Sequence, residues 1–224
     1  MNIFITQDSY YFVHKYFINI FEANNVELIF VRENKRGILK KYKELISEFG
    51  FLNFVKVCVL ELKYFLKLCI RKNKLNFQYV SDSKLNKVLE SKLMSNKFSG
   101  VISIGCPCKI DTLIQKKFNV DIFNVHGGII PFQKGRFSPI KAYKKKHKYI
   151  GATIHKITDS FDKGQIISQD FIKVLSDDKI IDYYSKVLNL SSLLVKEFLI
   201  GNRKKINYFV ENYFNELVGN NNEK

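Results

Sequence analysis

Phe123-Asn124-Val125-His126-Gly127-Gly128-Ile129-Ile130-Pro131-Phe132-Gln133-Lys134-Gly135 is the one stretch of this chain where polar side chains, paired glycines and a proline coincide. Phe123 and Val125 alternate with Asn124 and His126, the period-two pattern of a strand, so Asn124 and His126 project to one face. Gly127-Gly128 lets the backbone turn sharply beside them and leaves that face open. Side chains at the carboxyl end of a strand in an open α/β sheet stand where ligands bind. The same punctuation extends outward. All three prolines (Pro107, Pro131, Pro139) and seven of the eleven glycines fall between residues 100 and 164. Special backbone geometry is therefore concentrated in the middle third, between lysine-studded apolar flanks.

Around this stretch, Asp121–His126 reads as a strand, preceded by a strand at Val101–Gly105 and a helix at Asp111–Lys117. A helix at Pro139–Lys146 and strands at Gly151–Ile157 and Gln165–Val174 follow. Upstream, strands are predicted at Asn2–Thr6, Val26–Val31 and Phe77–Val80. Helices are predicted at Ser9–Asn24 with Ser9 as cap, at Ile38–Phe49, at Asn53–Ile70 and at Ser83–Asn96. Helices at Asp178–Ile200 and Lys205–Leu217 close the chain. Strands alternating with helices predict βαβ units, an α/β class and a mostly parallel twisted sheet.

At 224 residues, 46% apolar and 26% charged, the composition is globular and excludes a disordered tail or a disulfide scaffold. A single catalytic domain over 1–175 is expected, with 176–224 as a helical extension packed on it. Thirty-seven basic against 21 acidic residues give +16, which suggests a polyanionic partner. Only five of the basic residues are arginine, the side chain on which nucleic-acid readout leans, so compositional drift is the preferred account and nucleic acid is not an expected partner. Phe51–Ile70 is interrupted by Lys56, Glu61, Lys63 and Lys67 and does not read as a membrane span. Asn53, Lys56, Lys63 and Lys67 form one polar stripe on an apolar cylinder, which reads as a helix with a buried face rather than an interfacial membrane helix. No stable membrane insertion is expected. Cys58 and Cys69 read as core residues, and Cys106-Pro107-Cys108 lacks a second ligand pair, so no metal is expected. Free thiols and an opening without a basic leader point to a cytoplasmic chain.

Two further segments stand in register with Asn124 and His126. Gly151-Ala152-Thr153-Ile154-His155 lies in a predicted strand, and Asp162 follows in Ser160-Phe161-Asp162-Lys163-Gly164-Gln165, 38 residues after Asn124. Together they resemble the folate-dependent formyltransferase family, with its N-x-H-x-S-L-L-P-x-x-x-G signature, a G-x-T-x-H strand and an Asp in a D-x-G loop. The resemblance is close over about residues 100–172 and weaker over the first strand and helix. Gly128 departs from it, since the family has Ser there. The resemblance implies a Rossmann-like formyltransferase fold with helices on both faces of the sheet, and 10-formyltetrahydrofolate as co-substrate. It implies Asn124, His126 and Asp162 as the catalytic residues. Asn124 would stabilise the oxyanion, His126 would take the amine proton, and Asp162 would support the imidazole. The pterin would lie between Gly105, Cys106, Pro107, Cys108 and Ile110 on one side and Thr158, Asp159 and Phe161 on the other.

Within the family, methionyl-tRNA formyltransferases carry an added C-terminal domain of roughly a hundred residues, whereas about fifty residues follow Val174 here. Glycinamide ribonucleotide formyltransferases carry a G-x-G-S-N phosphate loop where this chain has Thr6-Gln7-Asp8-Ser9-Tyr10-Tyr11. The opening turn, the lysine-rich insertion at 35–75 and Gly135-Arg136-Phe137 look most like the nucleotide-sugar N-formyltransferases of O-antigen and lipopolysaccharide synthesis. A dTDP-linked 4-amino-4,6-dideoxy sugar, or a 3-amino isomer, is then the expected acceptor, met by Asp8, Ser9, Tyr10, Gln133, Lys134 and Arg136. A homodimer is compatible with this reading. Glycinamide ribonucleotide formyltransferase and formyltetrahydrofolate hydrolase are the alternatives.

Overall fold

The computed structural model describes residues 2–7, 9–70, 76–95 and 97–201. The chain divides into two compact units, Met1–Asn124 and Val125–Lys224. In the first unit, β1 (Asn2–Gln7), β2 (Glu27–Arg32), β3 (Asn76–Ser81) and β4 (Gly100–Ile104) pair in the order β3-β2-β1-β4, every pair parallel. Ile5 sits in register with Ile29 on one side and Ser103 on the other. Ile3, Phe4 and Ile5 are consecutive and fully buried, as a parallel strand covered on both faces requires.

The first helix departs from its predicted form. Tyr10–His14 is a π-helical turn that runs into α1 (Lys15–Ala23). Phe17, Ile18 and Phe21 of α1 face the core, with the Phe21 ring 4.8 Å from that of Phe4. The wide first turn has a local cause, because its amides are engaged by side-chain oxygens. Ser9 Oγ accepts the Phe12 N–H at 3.1 Å, and Glu61 Oε2 accepts the Tyr11 N–H at 3.1 Å.

α2 (Lys35–Phe49) begins at Asn34, whose side chain accepts the Gly37 N–H at 2.8 Å. It stops at Gly50, which adopts φ +78° and donates its N–H to Ile46 O. α3 (Phe51–Ile70) starts at the next residue, so the two helices form a hairpin in which Leu45, Phe49 and Val57 are buried and Tyr42 and Phe54 meet edge to face at 5.8 Å. The expectation of a buried apolar face on α3 is corrected here. Leu52, Val55, Val59, Leu62 and Leu66 are exposed, and only Val57 of this helix is buried among the residues whose side chains are described. No helix among the described residues is long and apolar enough to cross a membrane. A 3₁₀ turn (Asp82–Lys84) leads into α4 (Leu85–Ser95), and α5 (Leu113–Phe118) follows β4.

β5 (Ile122–His126) crosses the division between the units. In the second unit, α6 (Ser138–Lys144) precedes β6 (Tyr149–Lys156) and β7 (Ile166–Lys173), which pair antiparallel with an irregularity at Ile154/His155. α7 (Ile180–Leu199) packs Tyr183 and Val187 against Ile150 of β6 and Ala142 of α6. The predicted strand limits hold to within two residues. The predicted helix at Lys205–Leu217, and Asp8, lie outside the described residues.

Candidate active site

β5 carries Asn124 half-buried and His126 buried, at alternate positions. The His126 ring is held at both nitrogens. Its Nε2 lies 2.6 Å from Gln133 O, and its Nδ1 lies 3.5 Å from Asp162 Oδ1. Asp162 reaches this position from the β6–β7 turn, in a left-handed conformation (φ +54°). Its Oδ2 accepts the Gly135 N–H at 2.8 Å, and its Oδ1 also lies 3.6 Å from His155 Nε2. His155, on β6, places its Nδ1 3.0 Å from Lys156 O. One carboxylate thus joins two imidazoles and the glycine loop. The turn is tight enough that a Cβ on Gly164 would run into the Lys156 carbonyl.

The electrostatics follow from this packing. Burial alone would raise the Asp162 carboxyl, but the nearby His155 and His126 imidazoles and the Gly135 amide outweigh it and hold the pKa at about 2. Burial is also the largest influence on His126 and lowers its pKa below 6.5; His155 adds to that, while Asp162 and the Gln133 carbonyl oppose it. At neutral pH the arrangement is an ionised Asp162 beside an uncharged His126. A neutral imidazole is the form that can accept a proton.

The loop after β5 is fixed by buried polar side chains. Thr153 Oγ1 donates to Gly128 O at 2.7 Å and accepts the Ile130 N–H at 3.3 Å. Gln169 Nε2 donates to Ile130 O at 2.8 Å and to Thr153 Oγ1 at 2.9 Å. Gln133 belongs to the same frame. Its Oε1 accepts the Ile129 N–H at 3.2 Å, and its Nε2 lies 2.8 Å from Tyr149 O and 3.1 Å from His147 Nδ1. Expected to meet substrate, the Gln133 side chain is instead committed to the protein interior. Gln169, which no motif in the sequence singles out, could have been found from one signal: polar residues on apolar strands must be paired when buried.

Gly128 has a geometric reason to replace the family's Ser. A Cβ there would collide with Gln133 O and lie 2.8 Å from His126 Nε2 and 2.9 Å from Ser138 Oγ. The space a serine needs is filled by the Gln133 carbonyl as it reaches the imidazole.

The remaining predicted residues divide by unit. In the first unit Ser9 is buried, donating its hydroxyl to Glu61 Oε1 at 2.5 Å, and Tyr10 opens the π turn. Gly105 adopts φ +59°, the Cys106 and Cys108 sulfurs are 3.8 Å apart, and Ile110 is buried. The hydrogen bond with Cys108 and then burial raise the Cys106 thiol well above its ordinary value. In the second unit Lys134 and Arg136 are exposed, the Arg136 guanidinium 5.1 Å from the Phe137 ring. Thr158 and Asp159 are exposed, with Thr158 Oγ1 donating to Ser160 O at 2.9 Å, and the Phe161 ring is 76% exposed.

Comparison with known proteins agrees with this architecture. The family model described as formyl transferase matches residues 78–198. Formyltetrahydrofolate deformylase 2, mitochondrial, of Arabidopsis thaliana is 28% identical over 119 residues, 52% of this chain and 36% of that protein. Methionyl-tRNA formyltransferase of Kosmotoga olearia is 35% identical over 77 residues, 34% of this chain and 25% of that protein. The chain therefore matches only about a third or less of the length of these relatives. Among solved structures, phosphoribosylglycinamide formyltransferase from Anaplasma phagocytophilum aligns with a TM-score of 0.61 at 18% identity, over 90% of this chain and 88% of that one. A sugar N-formyltransferase from a Shewanella species aligns with a TM-score of 0.57 at 17% identity, over 94% and 74%. These structures share the fold, a mostly parallel sheet with helices.

Proposed function

The chain belongs to the formyl transferase family, and on that premise we propose that it moves a formyl group from 10-formyltetrahydrofolate to the amino group of a nucleotide-linked amino sugar. A dTDP-linked 4-amino-4,6-dideoxyglucose, or a 3-amino isomer, is the proposed acceptor, in the synthesis of surface polysaccharide. One observation carries the choice of acceptor. The turn after β1 is where a phosphate would meet helix amides, and here the Tyr11 N–H and the Ser9 hydroxyl are already taken by the Glu61 carboxylate. A phosphate held at that turn would meet a like charge. This disfavours a phosphoribosyl acceptor and leaves the exposed Lys134 and Arg136 to meet a diphosphate in the second unit.

In this reading the amine attacks the formyl carbon, a tetrahedral centre forms, and the proton lost by the amine ends on the folate nitrogen that departs. His126, uncharged at neutral pH, accepts the amine proton, and Asp162 supports the imidazolium that results. The Asn124 amide donates to the oxygen that gains charge, a contribution of about 3 kcal/mol in comparable oxyanion sites. Because Gln133 O sits against His126 Nε2, that contact must yield before Nε2 can face a ligand. The exposed Phe161 ring offers an aromatic surface to a pterin.

A hydrolytic reading is favoured by the deformylase relatives and needs only water in place of the amine. One experiment separates the alternatives. The protein is incubated with 10-formyltetrahydrofolate and a panel of nucleotide amino sugars and glycinamide ribonucleotide, and products are read by mass spectrometry. Formylation of a nucleotide sugar, with tetrahydrofolate released only when the sugar is present, supports the proposal. Release at the same rate without any amine makes the protein a hydrolase, and preference for glycinamide ribonucleotide overturns the acceptor assignment.

A further inference from the structure

The forty residues from Lys35 to Lys74 hold eleven basic and three acidic side chains, a net +8 and half of the whole chain's excess. The α2–α3 hairpin makes up most of this segment. On α3, Leu52, Val55, Val59, Leu62 and Leu66 recur at three- and four-residue intervals and are 42–76% exposed. Leu39, Tyr42 and Ile46 repeat that spacing on α2 at 37–63% exposure. Helical spacing puts each set on one face of its helix, while Leu45, Phe49 and Val57 are buried. A continuous apolar stripe on an exposed helix is unlike isolated surface leucines and marks a surface that meets something.

The charges around the stripe decide what it meets. Lys56 and Lys63 follow directly on Val55 and Leu62 and are exposed, as is Lys43 beside Tyr42. Glu61, the only acid in the α3 sequence, is engaged at Ser9 and Tyr11. The chain leaves α3 through the sequence Arg71-Lys72-Asn73-Lys74. Two copies packed stripe to stripe would set Lys56 and Lys63 against like charges, which opposes a self-interface. An anionic bilayer satisfies both features, since leucine and valine enter the acyl boundary while lysine stems lie along it and their ammonium groups stay among the headgroups.

We propose that the α2–α3 hairpin is a peripheral docking element that lays its exposed apolar stripe on an anionic lipid surface. The lysine excess then has a place and a task, where composition alone suggests drift. This does not depend on which acceptor is formylated.

The test is cosedimentation of the full chain with sucrose-loaded vesicles of phosphatidylcholine alone or with about a third phosphatidylglycerol. Partitioning onto the anionic vesicles should be at least about tenfold stronger than onto neutral ones, and should weaken as salt is raised. The double variant Val59→Asp/Leu62→Asp should lose at least about tenfold in partitioning, with its melting temperature unchanged. Lys56→Glu/Lys63→Glu, which leaves every apolar contact in place, should lose a similar factor at low salt. Absence of binding, equal binding to both vesicle types, or binding untouched by both variants overturns the proposal. So does a dimer in sedimentation equilibrium that Val59→Asp/Leu62→Asp dissociates, in a protein that ignores vesicles.

Discussion

Glu61 of α3 accepts the backbone N–H of Tyr11 with one carboxylate oxygen and the hydroxyl of Ser9 with the other. A side chain fifty residues downstream thereby closes the amino end of the first helix, so the hairpin and the turn after β1 form one unit of structure. A negative charge there satisfies an amide that has no intrahelical partner and interacts favourably with the helix dipole.

Glu61→Ala should therefore cost about 1–2 kcal/mol, the usual range for loss of an amino-terminal cap. Glu61→Gln keeps an acceptor oxygen and gives up the charge, so it should cost less. Urea unfolding of the three proteins checks the order. Equal stability of wild type and Glu61→Ala would mean that water replaces the carboxylate without loss.

His126→Asn keeps a polar side chain of similar bulk but cannot take a proton at neutral pH. If His126 is the base, kcat should fall by about a hundredfold or more with KM little changed. Wild-type kcat in this variant would remove His126 from the chemistry. A role limited to pinning Gln133 would instead show as a lower melting temperature, with turnover of the folded fraction kept.

The strands were legible because consecutive apolar residues such as Ile3-Phe4-Ile5 admit little else, and the family resemblance singled out Asn124, His126 and Asp162, of which His126 and Asp162 lie 3.5 Å apart. Two things were not. The apolar stripe on α3 has the same periodicity whether it faces a core or solvent, so sequence alone assigned it to the core. Gln133 lies beside exposed Lys134 and Arg136, and nothing in its local sequence shows that its amide reaches Tyr149 and His147 on the far side of α6 in the chain. Such long-range polar pairing is set by tertiary packing, to which local propensity is blind.

Gly128→Ser, which restores the family's residue, should be destabilising. The new Cβ would displace Gln133 O or the His126 ring, and overpacking of this kind costs about 1–3 kcal/mol. Thermal unfolding measures it. A variant as stable as wild type would show that the Gln133 carbonyl moves away readily, and such a variant should also present a freer His126 Nε2.

Acid stability gives the last and most discriminating prediction. Asp162 has a pKa of about 2 in the folded chain against an ordinary 3.8, so below about pH 4 the unfolded chain binds a proton that the folded chain refuses. Its contribution to stability, on the order of 2 kcal/mol, is complete above the unfolded value and is lost as pH falls through the folded one. His126 acts in the same direction but higher up the scale. Its pKa is lowered from 6.5, chiefly by burial, so the unfolded chain protonates first and stability begins to drop as pH falls through 6.5. Burial lowers His147 too, and it reinforces this upper window. Wild type should thus lose stability in two stages, a histidine stage beginning near pH 6.5 and a carboxylate stage between about pH 4 and 2. Asp162→Asn should remove the Asp162 share of the second stage, leaving that of Asp178, and keep the first, because the amide has no proton to gain. In this variant His126 also loses the carboxylate that favoured its charged form, so its pKa should move further down. Unfolding free energies across pH 7 to 2, taken as the difference between wild type and variant, cancel the general acid response of a chain with so many lysines. If that difference is flat between pH 4 and 2, Asp162 is not the carboxylate that the two histidines and the Gly135 amide hold ionised.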